Sequence, residues 1–279
     1  MVYVAVYHRQ SPDDPWPLDH GDDPSFGSSQ RRRGPLTWGV CRPDVRRAAR
    51  PGDLLIFFAA DRLRQVRPDA ARYQFVGFAT VNKCVRQTDF WTVKSLKAFR
   101  WYDNLLVRSD GGRLVHFEPA LPGELWHGDW LRRLASNPKA FSRAEFEDAE
   151  RTKHLPHRIN GRRYEVGANY IVFGREPSET FILTDPPVIA TVKENGLTET
   201  WEKTRFAVAL RRIVLGQTTR SLRTTHPQRA HRHIRLDVDG EQLRLDIRRL
   251  CNAHGLRPRN GRTRLLMAAR PDETGSKSC

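Results

Sequence analysis

The sequence predicts an α+β protein, with a mixed or barrel-like β domain over residues 1 to about 195 and a basic α/β extension from 196 to 279. Three observations lead there. Short apolar runs of strand length, separated by Gly, Pro, Asp and Asn, recur through the first two thirds of the chain. From Trp201 the apolar residues recur at near-helical spacing instead: Phe206, Val208, Leu210, Ile213 and Val214. Charge is also uneven, because residues 205 to 264 hold 15 arginines against 4 acidic residues, a large share of the formal net charge of +16.

Val2 to Tyr7 has no polar interruption and reads as a central strand. Residues 9 to 35 turn to Pro, Asp, Ser and Gly, a connection long enough to be a functional flap beside the next segment. Residues 36 to 60 are the organising stretch: a short strand at Leu36 to Val40, a helix begun by Pro43 and stopped by Pro51-Gly52, and a buried strand from Leu54 to Ala60. Val45 and Ala48/Ala49 give that helix its apolar stripe, and Arg46, Arg47 and Arg50 load its C-terminal turn with the charge that end favours.

Tyr73 to Val81 reads as a strand whose Gly77 marks a bulge or a place where a ligand or another backbone comes close. Leu105 to Arg108 and Arg113 to Phe117 flank Ser-Asp-Gly-Gly, the punctuation of a hairpin. Trp126 and Trp130 bracket a His127-Gly-Asp129, and Ser142-Arg-Ala-Glu145 is a capping box for a short acidic helix. Asn169 to Gly174, Thr180 to Leu183 and Val188 to Val192 come next as strands. An amphipathic helix after Trp201 ends at Gly216, a hairpin is expected around Asp239-Gly240, and a basic helix spans Asp246 to His254.

Composition narrows the function. A pI near 10.4 points to a polyanionic partner, nucleic acid or nucleotide first and an acidic membrane surface second; DNA is the nucleic acid expected. Only 8 of the 48 basic residues are lysine, and the arginine fork suits phosphates and guanine edges. Cys41, Cys84, Cys251 and Cys279 form no C-x-x-C pair, which argues against a zinc ribbon and a disulfide scaffold and suits a reducing cytosol. No run of 18 apolar residues is present, so no membrane partner is expected; nor is a metal or cofactor.

The string Thr37-Trp-Gly-Val-Cys-Arg-Pro-Asp-Val-Arg-Arg-Ala-Ala-Arg-Pro-Gly-Asp53 resembles the core motif of the second nucleotide modification associated domain family. His127-Gly-Asp-Trp130 and Tyr170-Ile-Val-Phe-Gly-Arg-Glu-Pro177 resemble two further islands of that family in the same order, over roughly residues 1 to 190. A looser similarity is to PUA-like and EVE modules, small barrels that hold a modified or flipped base, carried by the order Trp38, Gly52-Asp53, Val76-Gly-Phe-Ala79. The resemblance implies recognition or metabolism of modified DNA bases, in bacteria and their phages.

Several side chains are candidates for chemistry. Cys41, ahead of a helix N-terminus and beside Arg42, Arg46 and Arg47, is either an activated thiol or core filling. His127 and Asp129 are either base and orienter or the turn of a tryptophan-anchored loop. Asp44 and Asp53 are either carboxylates that bond turn N–H groups or pocket residues. Trp38 and Trp126 are the aromatics expected to line a base pocket. Arg46, Arg47, Arg211, Arg212, Arg248 and Arg249 are the expected phosphate contacts. Together these describe a protein that recognises a modified nucleotide and holds phosphates through its basic last third. The alternatives are a base-modifying enzyme using Cys41, His127 and Asp129, and a sequence-blind basic binder.

Overall fold

The computed structural model describes residues 1–9, 16–18, 24–27, 34–39, 43–60, 71–100, 102, 104, 105, 107–110, 113–116, 168–192, 199–215, 234–236 and 239–259. In chain order their elements are β1 (Val2–His8), β2 (Thr37–Trp38), α1 (Pro43–Ala48), β3 (Leu54–Ala60), β4 (Ala71–Val85), 3-10 helices at Gln87–Trp91 and Lys94–Phe99, β5 (Val107–Asp110), β6 (Arg113–His116), β7 (Tyr170–Phe173), β8 (Thr180–Ile182), β9 (Val188–Val192), β10 (Glu199–Trp201), α2 (Arg205–Leu215), β11 (Ile234–Leu236) and α3 (Gly240–Ala253). The expected capping-box helix and the His127-Gly-Asp129 loop lie outside the described residues.

The 15-residue β4 ties the sheet together. Along one edge it runs antiparallel to β3, which in turn pairs in parallel with β1. Along the other it meets β9, β8 and β7 in succession. The backbone makes the two edges plain: Thr80 bonds Glu179 and Gly174, whereas Val81 bonds Asp53 and Gly52. Register shifts fall at Tyr73/Gln74, at Val81/Lys83 and, in β3, at Phe57/Phe58. Bulges bend and twist the strand that carries them, and the mixed sheet curls into a half-barrel.

β3 is buried at every position, which is why its sequence shows no polar alternation. Leu54, Ile56 and Phe58 join Val2, Val4, Val6, Phe75, Phe78 and Phe181 on one face. Leu55, Phe57 and Ala59 join Tyr3, Ala5 and Tyr7 on the other, covered by Trp16, Phe26, Trp38 and the Val45/Ala49 stripe of α1.

No break in the described core coincides with residue 195. Phe206, Leu210 and Val214 of α2 and Leu243, Ile247 and Cys251 of α3 belong to the same cluster as Val2 and Leu54. β11 also adds itself antiparallel to β1, with Val2 opposite Leu236. Each of these six helix side chains contributes about 1.5–3 kcal/mol by leaving water, so the basic third helps to hold the sheet.

The hairpin expected around Asp239-Gly240 is instead the start of α3. Asp239 caps it, its side chain accepting from the N–H groups of Glu241 and Gln242 at 2.9 and 3.4 Å. The buried positions Leu243, Ile247 and Cys251 recur every four residues while Leu245, which a strand would turn to the same face, is exposed, and this is the helical pattern. The helix ends with Gly255 at φ 68, Gly255 N–H on Asn252 O and Leu256 N–H on Cys251 O, a Schellman closure.

The chain then returns to the sheet. Thr184 N–H bonds Arg257 O, Arg259 N–H bonds Ile182 O, and Leu183 bridges Pro258. The Arg259 guanidinium lies 4.3 Å from the Trp16 ring centroid, and Trp16 Nε1 donates to Leu183 O at 3.0 Å. Burial lowers the Arg259 pKa to about 10, against the favourable field of Tyr7, so the group remains a cation at neutral pH.

Candidate nucleic-acid interface

Helix α2 is built with one apolar face and one basic face. Thr204 begins it, with Oγ1 accepting from Ala207 N–H at 3.2 Å and its carbonyl accepting from Val208 N–H at 3.1 Å. Phe206, Ala207, Leu210 and Val214 turn into the core. At 3.6 residues per turn, Arg205, Val208, Ala209 and Arg212 then share the opposite stripe. Together with Lys203 and Ile213 they line a shallow groove of about 390 Å³. Among the described residues the lining has three cations and no carboxylate, and the rest of it is aliphatic, with Val208 41 % exposed.

The other expected arginines sit close in the fold but make different contacts. Arg211 places its guanidinium 5.2 Å from the Trp201 ring centroid, and the indole Nε1 of Trp201 is buried without a hydrogen-bond partner. On α3, Arg248 lies 5.6 Å from the Phe181 ring centroid, and Arg249 is an exposed cation 3.6 Å from Asp246. Arg244 similarly meets Glu241 at 3.7 Å; both are surface pairs one helical turn apart, worth a few tenths of a kcal/mol. Helices α2 and α3 pack against each other, which brings both arginine pairs onto neighbouring elements. Of the four, only Arg212 lines the groove. Lys203 and Arg205 complete it. The sequence signal for Arg205 was its position seven residues before Arg212, on the side of the periodic pattern opposite the apolar stripe.

The residues expected at the first domain are placed as follows. Trp38 is 3 % exposed, packed edge-on to Phe57 at 6.4 Å, with its Nε1 buried and without a hydrogen-bond partner. Its strand is pinned by neutral groups: Thr37 Oγ1 bonds Ser25 Oγ and Tyr170 OH, each at 2.8 Å, and Tyr170 OH donates to Asn104 Oδ1 at 2.6 Å. Gln87 adds a bond to Gly39 O at 2.7 Å. This buried network was not legible in the sequence, since its five side chains come from five separate segments.

Arg46 is not on the surface where a phosphate contact was expected. It is fully buried, and its guanidinium donates to the carbonyls of Ala168 and Asn169 at 3.4 and 3.0 Å. The apolar side of a six-residue helix is wide enough to take in this neighbour of Val45, and the two carbonyls offset the desolvation of its charge. Arg47 is half-buried on the same helix. Asp53 closes the turn after α1: its carboxylate accepts from Arg50 N–H at 2.8 Å and from the Met1 ammonium at 2.7 Å. Cys41, Trp126, His127, Asp129 and the Asp44 side chain lie outside the described residues. Among the described residues no group of three His, Cys, Asp or Glu side chains is gathered as a metal site, and no helix is long and apolar enough to cross a membrane.

Two thiols are described. Burial raises the Cys84 pKa, with Arg50 opposing and Asp53 adding to the shift. Burial pushes Cys251 up to about 12. A thiol held protonated in the fold is a poor nucleophile, so Cys251 should resist alkylation at pH 8 in the native protein and react on unfolding. Peptide mapping after an iodoacetamide pulse checks this; native labelling as fast as in urea contradicts it. The same shift makes stability fall as pH rises from about 9 toward 12, because there the unfolded chain ionises this thiol and the folded chain does not.

No protein-family model matches the chain, and no curated protein or solved structure matches it either.

Proposed function

We propose that this is a nucleic-acid-associated protein that recognises a modified nucleotide, with the basic face of α2 and its neighbour α3 holding phosphates and the half-barrel taking the base. The observation that carries the reading is the groove of Lys203, Arg205 and Arg212, three cations gathered on one surface without a carboxylate among its lining residues. Like charges are brought together at a cost in a folded protein, and a polyanion is the partner that reverses it. Phosphate contacts of this kind supply affinity and register but no discrimination between bases.

For the base, the support is narrower. Trp38 is an indole whose buried donor meets no acceptor among the described residues, and an unmet buried donor costs about 1–3 kcal/mol. A carbonyl of an extruded base is an acceptor of the right kind. The looser similarity to PUA-like and EVE modules, in which Trp38 is the first element of the order, supports the same residue.

The test is a titration of the full chain against short DNA, unmodified and carrying modified cytosine or thymine, at two salt concentrations. A modified base should tighten binding more than about tenfold, about 1.4 kcal/mol, at both salts. Trp38→Phe keeps an aromatic side chain, smaller by the pyrrole ring, and removes the donor; with its melting temperature checked beside wild type, it should abolish that preference while leaving the salt dependence unchanged. Equal affinity for every base at both salts would remove base recognition from the proposal, and a Trp38→Phe protein that still discriminates would remove Trp38 from it.

A further inference from the structure

We infer that the α2 groove takes unpaired nucleotides in preference to a duplex. This rests on the nucleic-acid reading above and goes beyond it by naming the form of the strand. The apolar part of the lining, rather than its cations, sets the preference. Val208, Ala209 and Ile213 line the groove beside Lys203, Arg205 and Arg212, and Val208 is among the few large apolar side chains left exposed in the described structure. A duplex turns its sugars and phosphates outward and keeps its base faces inside the stack, so it has no flat apolar surface to lay on those side chains. An unpaired strand has base faces free to cover them while its phosphates reach the cations. Single-strand sites combine a basic track with aromatic faces on which bases stack; here the exposed apolar surface is aliphatic, and a base face covering it would remove it from water.

The spacing of the cations agrees. Seven residues of helix separate Arg205 and Arg212, a rise of about 10.5 Å along the axis. Two long guanidinium side chains at that separation leave room between them for a base on Val208 and Ala209. Charge complementarity selects a polyanion over an uncharged partner, because three cations and, among the described residues, no acidic side chain line the groove. Arg211, turned onto the Trp201 ring, stands outside the lining and so does not block it.

The experiment is fluorescence anisotropy of the full chain with a labelled oligothymidine and with a hairpin duplex of equal nucleotide count, each at low and at moderate salt. Wild-type protein should bind the unpaired strand at least about fivefold more tightly than the duplex. Val208→Ser leaves every charge in place and removes the exposed apolar side chain; it should weaken the unpaired strand about threefold or more and leave the duplex unchanged. Because Val208 is exposed, the variant should melt like wild type, and a matching melting curve makes its binding result interpretable. Equal or tighter binding of the duplex by wild type, or a Val208→Ser variant with unaltered preference, overturns the inference while leaving the nucleic-acid reading standing. No saturable binding of either oligonucleotide, with binding to vesicles of anionic lipid, overturns both and assigns the groove to a membrane surface.

Discussion

Gly77→Val should destabilise the fold by about 3–6 kcal/mol, read as a fall in the urea midpoint without a change in slope. Gly77 sits on β4 at the point where β3 lies on one edge and β8 on the other. Its φ of +141 is one that side chains rarely adopt. A Cβ placed there would stand 2.0 Å from Phe181 O and 3.0 Å from Ile182 Cα. Both are backbone atoms of β8, so no rotamer change relieves the contact; the strand itself must move, and with it the Phe181 ring stacked on Phe78 at 5.7 Å. Gly52 separates the two costs. It also has positive φ, at 91, but nothing lies within 4 Å of a Cβ built on it. Gly52→Ala should therefore lose only the conformational term, about 1–2 kcal/mol. If both variants lost the same amount, the approach of β8 to β4 would not be what requires a glycine at 77.

Replacing Lys203, Arg205 and Arg212 together by glutamine should weaken nucleic-acid binding about a hundredfold at low salt and lower the slope of log affinity against log salt by roughly 2 to 3. Each phosphate neutralised releases a condensed counterion, and without these three cations the corresponding counterions stay condensed on the strand. All three side chains are exposed and none meets a carboxylate among the described residues, so the variant should keep the wild-type melting temperature. Arg249→Gln is the internal comparison: it is a cation of the adjacent helix that lies outside the groove lining and near Asp246, and its removal should cost much less. An unchanged salt slope in the triple variant would place the phosphate contacts elsewhere on the chain.

Gly77 and the α2 groove were legible in the sequence to different depths. A glycine within a strand pattern at position 77 already indicated a close backbone approach, but which backbone came close was not readable. β8 lies about a hundred residues further along the chain, and the pairing of Gly77 with Ile182 depends on β4 offering three partners along one edge. Likewise the periodicity after Trp201 indicated the amphipathic helix α2, but it counted Val208, which the fold leaves 41 % exposed, among the apolar residues. The groove needed the burial of Phe206, Leu210 and Val214 to decide which side faces out. Asp239-Gly240 went the other way, because hairpin punctuation and a helix cap use the same two residue types. The four-residue recurrence of Leu243, Ile247 and Cys251 onto a core built by β1 and β3 decided it.

By itself the sequence determined the local units: the strand, helix, turn and buried strand of residues 36 to 60, the amphipathic character of α2, the glycine at 77 and the concentration of arginine in the last third. These arise from short-range periodicity, capping and backbone sterics, which act between residues a few positions apart. Only the tertiary structure decided that α2 and α3 share a core with β1 and β3, that Arg46 is buried against the carbonyls of Ala168 and Asn169, and which face of α2 is left exposed. Those outcomes depend on which apolar faces find each other across the whole chain, and burial, once settled by that packing, dictates which of the many arginines are left to meet solvent and a partner.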